Sequence, residues 1–425
     1  MKTGDPAAVS GLSNNRAYVL FILVLVYTFN FIDRQIVGIL AIPIKADLGL
    51  TDGQLGLMGG LAFALFYTGL GIPVAMLADR FSRTWIITTA LVIWSGMTAV
   101  SGLANNFWQL FAARLGVGIG EAGGVAPAYS LIADYFPPGR RARALSVYSF
   151  GIPIGSAIGI VFGGIIASMV SWRAAFFVVG FAGILLAPIF RMTVREPPRG
   201  RYDRKRQDAA APGLRLILRT LVGKPSFWLL SVGASFSSMM GYGVFFWLPS
   251  FFVRSYNLTL LNASLFYGAV LLLGGLAGIW AGGWLGDRFG QDQRSQYARI
   301  PAYAFIASVP FYLLAILSPT LTLAFFVLLV PTALGLVWLG PVISTIQHLV
   351  RPDMRATASA IFLFINNLIG IGLGTYAIGA LSDLLAAQFG DESLRYSILA
   401  GTGFYIVAAT LFFLAARWLD RDWED

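Results

Sequence analysis

The sequence predicts an all-α integral membrane protein with twelve spanning helices. Three observations carry this. The 425 residues are 57% hydrophobic and 12% charged, whereas a soluble domain carries about 25% charged residues. Apolar runs recur along the whole chain, each near the roughly 20 residues that cross ~30 Å of hydrocarbon as a helix. The basic residues fall almost entirely on one side of the resulting map.

The runs, in order, are 17–44, 53–78, 84–104, 107–132, 142–168 and 173–191; after a polar break come 226–252, 262–286, 297–318, 321–348, 356–382 and 394–417. The first is too long for a signal peptide and carries Asp33-Arg34 in its middle, so it is read as span 1 and not as a cleavable leader. The 48 glycines suit spans that pack closely or bend. The polar stretch 192–224 reads as a basic linker between an N-terminal six-helix bundle, 1–191, and a C-terminal one, 225–425.

With the N-terminus in the cytoplasm, 24 of the 30 Lys and Arg residues lie on the cytoplasmic side. Four lie outside (Lys45, Arg173, Arg254, Arg395) and two lie within spans (Arg34, Arg114). That asymmetry places both termini in the cytoplasm. It also accounts for the net charge of +10 without nucleic acid, since the linker cations face anionic lipid headgroups. Compact loops suit a bacterial inner membrane, and a monomer is expected.

The chain has no cysteine and one histidine, which excludes disulfides, thiol chemistry and His/Cys metal clusters. No G-x-S-x-G elbow and no P-loop occurs, so neither a lipid-modifying enzyme nor an ATP-driven pump is expected, and no cofactor is implied.

Two loops repeat. Leu77-Ala78-Asp79-Arg80-Phe81, between spans 2 and 3, returns 208 positions later as Leu285-Gly286-Asp287-Arg288-Phe289, between spans 8 and 9. Pro138-Gly139-Arg140-Arg141-Ala142-Arg143-Ala144 returns 214 positions later as Pro352-Asp353-Met354-Arg355-Ala356-Thr357-Ala358. Two matches at nearly one offset indicate a duplicated six-helix unit. Such halves place a substrate site between them near the bilayer midplane, and rocking opens it to alternate sides.

Asp79-Arg80 with Arg83, and Gly283-Trp284-Leu285-Gly286-Asp287-Arg288, resemble the loop signature of the major facilitator superfamily. Arg114 to Ala122 resembles its helix 4 motif, and Gly151-Ile152-Pro153-Ile154-Gly155-Ser156 with Gly159 and Gly163 its helix 5 motif. The match narrows to the spinster family of lipid transporters. Asp33-Arg34, Gly118-Ile119-Gly120-Glu121-Ala122, Ala126-Pro127, Leu131-Ile132-Ala133-Asp134, Val194-Arg195-Glu196-Pro197-Pro198-Arg199-Gly200, Pro225-Ser226-Phe227 and Leu381-Ser382-Asp383 are similar to that family's segments. One departure is Thr84, where the first loop usually ends in another basic residue. The resemblance implies the major facilitator fold and secondary transport of a lysophospholipid or a sphingosine-1-phosphate-like lipid. It implies gating roles for Asp79, Arg80, Arg83, Asp287 and Arg288.

Only Asp33, Arg34, Arg114 and Glu121 fall deep within spans. A charge at the bilayer centre costs at least ~2.5–3.5 kcal/mol on insertion scales, so such groups face a protein-lined or wet interior. Arg114 and Glu121 are seven residues apart and share one helix face. Span 1 runs outward and span 4 inward, which puts Asp33 and Arg114 at similar depth. They are expected to pair, with Glu121 deeper toward the cytoplasm. Asp33 and Glu121 are the candidates for proton coupling; a permanent pair holding span 1 to span 4 is the alternative. Arg34 would meet an anionic headgroup, because guanidinium matches phosphate in bidentate fashion, or make a local bundle contact. His348 ends span 10 at an unremarkable boundary position.

Met239, Met240, Tyr242, Phe245 and Trp247 on span 7 are candidates for an apolar cavity wall, on the resemblance's implication that this helix lines the cavity. Asn366-Asn367 in span 11 would bind a headgroup or hydrogen-bond between helices. The expected partners are thus a lipid substrate, protons and the surrounding bilayer. A proton-coupled carrier of organic anions or drugs on the same fold is the alternative.

Overall fold

The computed structural model describes residues 15–199, 201–202, 214–289, 293–351 and 354–424. It is all-helical, and its helices fall into twelve spans. Span 1 is Arg16–Ile39, span 2 joins Asp52–Gly59 to Leu61–Arg80, and span 3 is Arg83–Ser101. Span 4 joins Phe107–Glu121 to Val125–Tyr135, span 5 joins Pro138–Ser149 to Gly151–Met169, and span 6 is Trp172–Thr193. Span 7 is Pro225–Tyr256, span 8 Leu260–Phe289 and span 9 Gln296–Ile316. Span 10 joins Leu321–Leu334 to Leu339–His348, span 11 is Arg355–Phe389, and span 12 joins Ser393–Gly401 to Gly403–Ala416.

Ten stretches of the described residues are long and apolar enough to cross a membrane. One of them, Thr357–Ala416, runs through spans 11 and 12 together. Span 4, whose two pieces of 15 and 11 residues carry Arg114 and Glu121, is not among them. Together these make twelve.

Several spans expected to be continuous are broken, and proline explains most of the breaks. A proline ring collides with the carbonyl four residues earlier. Span 1 accordingly stops at Ile39, four before Pro43, and a separate short helix, Ala41–Leu48, follows. Span 4 opens around Gly123, four before Pro127, and the first piece of span 5 ends at Ser149, four before Pro153. Proline alone is not decisive, since Pro73, Pro188 and Pro249 sit inside unbroken helices.

Glycine decides which helices touch. A Cβ at Gly155 would lie 2.4 Å from the Thr28 carbonyl oxygen, and one at Gly159 would lie 2.7 Å from that of Ile32. Four-residue glycine spacing on span 5 therefore gives a flat stripe against which the span 1 backbone lies. The same logic brings span 2 onto span 11. A Cβ at Gly60 would fall 2.1 Å from Thr375 Oγ1, and one at Gly56 2.5 Å from the Thr375 carbonyl oxygen.

The spans define two faces. One, the linker face, carries residues 194–202, Lys224 and the described chain ends, where Lys224 Nζ contacts Glu424 at 2.6 Å and Arg16 bonds the Tyr202 hydroxyl. The opposite face carries Asp52.

Candidate functional site

Span 1 presents an acid and a base in succession, and span 4 presents a base and an acid two turns apart. The structure joins them crosswise. Arg114 Nη1 donates to Asp33 Oδ1 at 3.2 Å, and Arg34 Nε donates to Glu121 Oε2 at 2.8 Å. Asp33 Oδ1 also accepts from the Thr98 hydroxyl of span 3 at 2.7 Å. Asp33 and Arg114 are 1% exposed and Glu121 is fully buried. Arg34 is the member that reaches open space, with its side chain 11% exposed.

Local structure places each charge. Glu121 ends the first piece of span 4, at the break before Pro127. Arg34 thus meets both a carboxylate and the negative end of a helix dipole. Its guanidinium also lies over three rings, 5.0 Å from the Phe31 centroid, 4.6 Å from Phe63 and 4.5 Å from Tyr67. Such stacking suits a planar, weakly hydrated cation. Asp33 Oδ2 and Glu121 Oε1 are buried without a hydrogen-bond partner among the described residues. Each acid therefore keeps one oxygen that a proton or a donor group can occupy.

A small cavity of ≈ 30 Å³ opens beside these pairs. Arg34 and Arg114 share its lining with Phe31, Phe63, Tyr242, Phe245, Phe246 and Ile371. Two cationic groups thus face a largely aromatic and aliphatic wall. Of the span 7 candidates, Tyr242 and Phe245 line the pocket, three residues apart on one helix face. Met240 and Trp247 are correctly placed on the helix but on its other faces. Both are fully buried, Met240 beside Gly401 of span 12 and Trp247 donating its indole N–H to the Thr375 carbonyl at 2.8 Å. Met239 is also buried, its backbone against Gly374 of span 11. Asn366 is buried and accepts from Ser238 Oγ at 2.9 Å, an interhelical bond, while Asn367 is half-buried. His348 stacks on Trp423 at 4.6 Å, at the linker face.

At the opposite face lies a cluster centred on Asp52, which the sequence reading did not single out. Asp52 accepts from Lys45 at 2.7 Å, from both outer nitrogens of Arg254 at 2.6 Å and from Ser382 Oγ at 2.9 Å. Its own N–H and that of Gly53, at the start of span 2, donate to the Asp383 carboxylate of span 11 at 3.0 and 2.7 Å. The described hydrogen bonds that join spans 1–6 to spans 7–12 gather on Asp52, Gly53 and Gly56. The remaining cations of this face are paired too, Arg173 with Asp47 and Arg395 with Glu392. A signal existed in the sequence: Thr51-Asp52 is a helix-start pattern, and Ser382-Asp383 lies at the end of the apolar run 356–382.

On the linker face the polar ties among the described residues stay within a half. Arg83, 1% exposed, pairs with Asp134, donates to Glu196 Oε1 at 2.7 Å and reaches the Ser130 hydroxyl and the Pro197 carbonyl. Burial pushes the Glu196 carboxyl up, but the Thr84 N–H, the Arg83 guanidinium and the Ser82 hydroxyl outweigh it and hold it below its ordinary range. Arg199 donates to the Ala78 and Phe81 carbonyls at the end of span 2. Residues 194–199 thus strap spans 2, 3 and 4 together. At the other half, Asp422 accepts from the Ser226 N–H and hydroxyl at 3.0 and 2.6 Å. Arg80 is exposed; the side chains of Asp79, Asp287 and Arg288 lie outside the described ones.

The sequence pattern of the Major Facilitator Superfamily matches residues 23–375. The chain belongs to the Major Facilitator Superfamily. It is accordingly a secondary transporter and not an enzyme. An MFS-type efflux pump of Mycolicibacterium smegmatis is 33% identical over 402 residues, covering 94% of this chain and 92% of that one. The spinster homolog 1 of Bos taurus is 28% identical over 416 residues, covering 90% of this chain and 78% of its relative. Among solved structures, a bacterial homolog of the human lysosomal transporter spinster, in an inward-facing and unoccupied conformation, superposes with a TM-score of 0.87 at 34% identity. That match covers 96% of this chain and 98% of the other. Within the superfamily this transporter therefore resembles the spinster proteins.

Proposed function

We propose that this transporter moves an amphipathic lysolipid or sphingosine-1-phosphate-like lipid by alternating access, coupled to protons. One observation supports the reading above the others: an arginine held in an aromatic cage and paired to a buried carboxylate, on the wall of a largely aromatic and aliphatic pocket. An anionic headgroup would compete with Glu121 for Arg34, while the alkyl tail lies against Phe63, Tyr242, Phe245 and Ile371. A carboxylate that loses its cation in a dry site takes up a proton in preference to remaining charged. Headgroup binding and proton uptake at Glu121 are linked in this way, with Asp33 as the second proton site.

In this reading both termini are cytoplasmic, the linker face is the cytoplasmic one, and the Asp52 cluster closes the outer end of the path. Residues 1–191 and 225–425 move as two units joined by the linker, and one chain is the functional unit. Both homologues named as spinster proteins fit such a carrier. The efflux pump of M. smegmatis favours a second reading, export of a drug or organic anion through the same pocket.

Reconstituted liposomes distinguish these. The lipid reading expects lysophospholipid or sphingoid-phosphate flux that responds to an imposed pH gradient, with the response lost in Asp33→Asn and Glu121→Gln. Flux of short-chain anions or drugs without any requirement for a long-chain amphiphile would replace it with the second reading. Variants that retain the gradient response would remove these carboxylates from the coupling.

A further inference from the structure

The linker contains a helix, Leu214–Val222, which belongs to neither bundle of spans. At about 100° per residue its side chains separate into arcs. Ile217 and Leu221 are buried at 2% and 0% exposure and dock the helix onto the protein, and the Leu221 carbonyl accepts the indole N–H of Trp228 on span 7 at 3.1 Å. Next to that docked stripe lies a second apolar stripe, Leu214, Leu218 and Val222, exposed at 58%, 40% and 69%. Arg215 and Arg219 follow on the adjoining arc, exposed, before Leu216 and Thr220 complete the turn. A helix of this kind has an apolar side for the protein, an apolar side left uncovered, and two cations at its edge.

The neighbouring aromatic residues show at what level this helix lies. At the same face Arg191 sits 4.6 Å over Trp85 and Arg421 5.2 Å over Trp418, with both tryptophans partly exposed. Trp228 itself is 38% exposed. Tryptophan collects where hydrocarbon gives way to headgroups, and arginine beside it extends to the phosphate level. Span 7 starts at Pro225, three residues after the helix ends, so the helix cannot stand far from that boundary.

We infer that Leu214–Val222 is an interfacial anchor that lies in the membrane surface and binds anionic phospholipid through Arg215 and Arg219. Leu214, Leu218 and Val222 enter the acyl boundary, and the two guanidinium groups meet lipid phosphates. An interfacial amphipathic helix of this composition binds by buried apolar area plus attraction to anionic headgroups. Because Leu221 and Ile217 fasten it to the base of span 7, the lipid composition of that leaflet reaches the span that carries Tyr242 and Phe245.

The chain's lack of cysteine gives a clean test. An environment-sensitive fluorophore is placed on Leu218→Cys or Val222→Cys in the full-length transporter, with Thr220→Cys as the reference site. Each is reconstituted in phosphatidylcholine vesicles with or without phosphatidylglycerol. The expected result is severalfold stronger quenching of the 218 and 222 dyes by lipid-borne quenchers than of the 220 dye. Phosphatidylglycerol should raise it further, and R215Q/R219Q should cancel that increase while leaving quenching in phosphatidylcholine unchanged. Equal access of aqueous iodide to all three positions would overturn the inference. So would protection that grows with protein-to-lipid ratio, which marks a contact between copies, or an unchanged response to phosphatidylglycerol in R215Q/R219Q.

Discussion

Arg34 and Glu121 form the inverted partner of the Asp33–Arg114 pair: base on span 1 with acid on span 4 at 2.8 Å, beside acid on span 1 with base on span 4 at 3.2 Å. The two pairs neutralise each other's fields and tie the same two helices. Both arginines line the pocket, but they differ in access: the Arg34 side chain is 11% exposed and that of Arg114 only 1%. The Asp33–Arg114 pair is thus better placed to hold the spans together, and the Arg34–Glu121 pair to exchange partners.

Exchanging the charges separates these roles. Arg34→Ala alone leaves Glu121 buried without a cation, and breaking a buried pair costs on the order of 3–5 kcal/mol. The double variant Arg34→Glu/Glu121→Arg should recover most of the thermal stability, read by fluorescence unfolding in detergent, while lipid flux stays at least tenfold down. Recovery of flux with stability would assign the pair to structure alone.

Asp52→Asn should release the closed face. The substitution weakens two contacts with Arg254 and one with Lys45 at a side chain only 3% exposed. The expected outcome is faster maleimide labelling of a cysteine placed at Thr375, by about tenfold or more, in the otherwise cysteine-free chain. Unchanged labelling would show that glycine packing alone keeps this face shut.

Gly60→Val tests that packing separately. The new Cβ falls 2.1 Å from Thr375 Oγ1 and 2.5 Å from the Ile371 carbonyl, a backbone atom that cannot simply rotate away. Overpacking costs typically 1–3 kcal/mol, so spans 2 and 11 should part at this end. Distance measurement between labels on the two spans reads the separation.

Glu196 makes the linker-face strap sensitive to acid. Its carboxyl titrates below its unfolded value, with burial opposed by the Thr84 N–H and the Arg83 guanidinium. A depressed carboxylate contributes stability above its unfolded pKa, about 4.3, and loses it as pH falls toward the lower folded value. Protection factors against hydrogen exchange at residues 82–84 and 194–196 should therefore fall below about pH 4.3 and stay level between pH 6 and 8. Glu196→Gln should exchange faster at neutral pH and lose the acid step.

Phe245→Ala and Met240→Ala separate pocket from core on one helix. Met240 is fully buried beside span 12, and truncating such a residue costs about 2–5 kcal/mol. Phe245 lines the pocket, so its truncation should weaken amphiphile binding severalfold with little change in melting temperature. Equal effects on both readouts would count against the pocket as the binding place.

The amino-acid sequence alone determined the number and order of the spans and the four charges that lie deep within them. It also indicated that Asp33 and Arg114 share a depth. These are properties of each residue against the bilayer: hydropathy, helix rise and the cost of a charge act along one dimension. The tertiary structure decided which faces meet. It paired Arg34 with Glu121, turned Tyr242 and Phe245 to the pocket and Met240 and Trp247 away from it, and made Asp52 the centre of a cluster drawn from spans 7 and 11. The reason is rotational. Pairing across helices depends on how each helix is turned about its own axis, and that is set by contacts such as Gly155 on Thr28 and Gly60 on Thr375, between segments far apart in the chain.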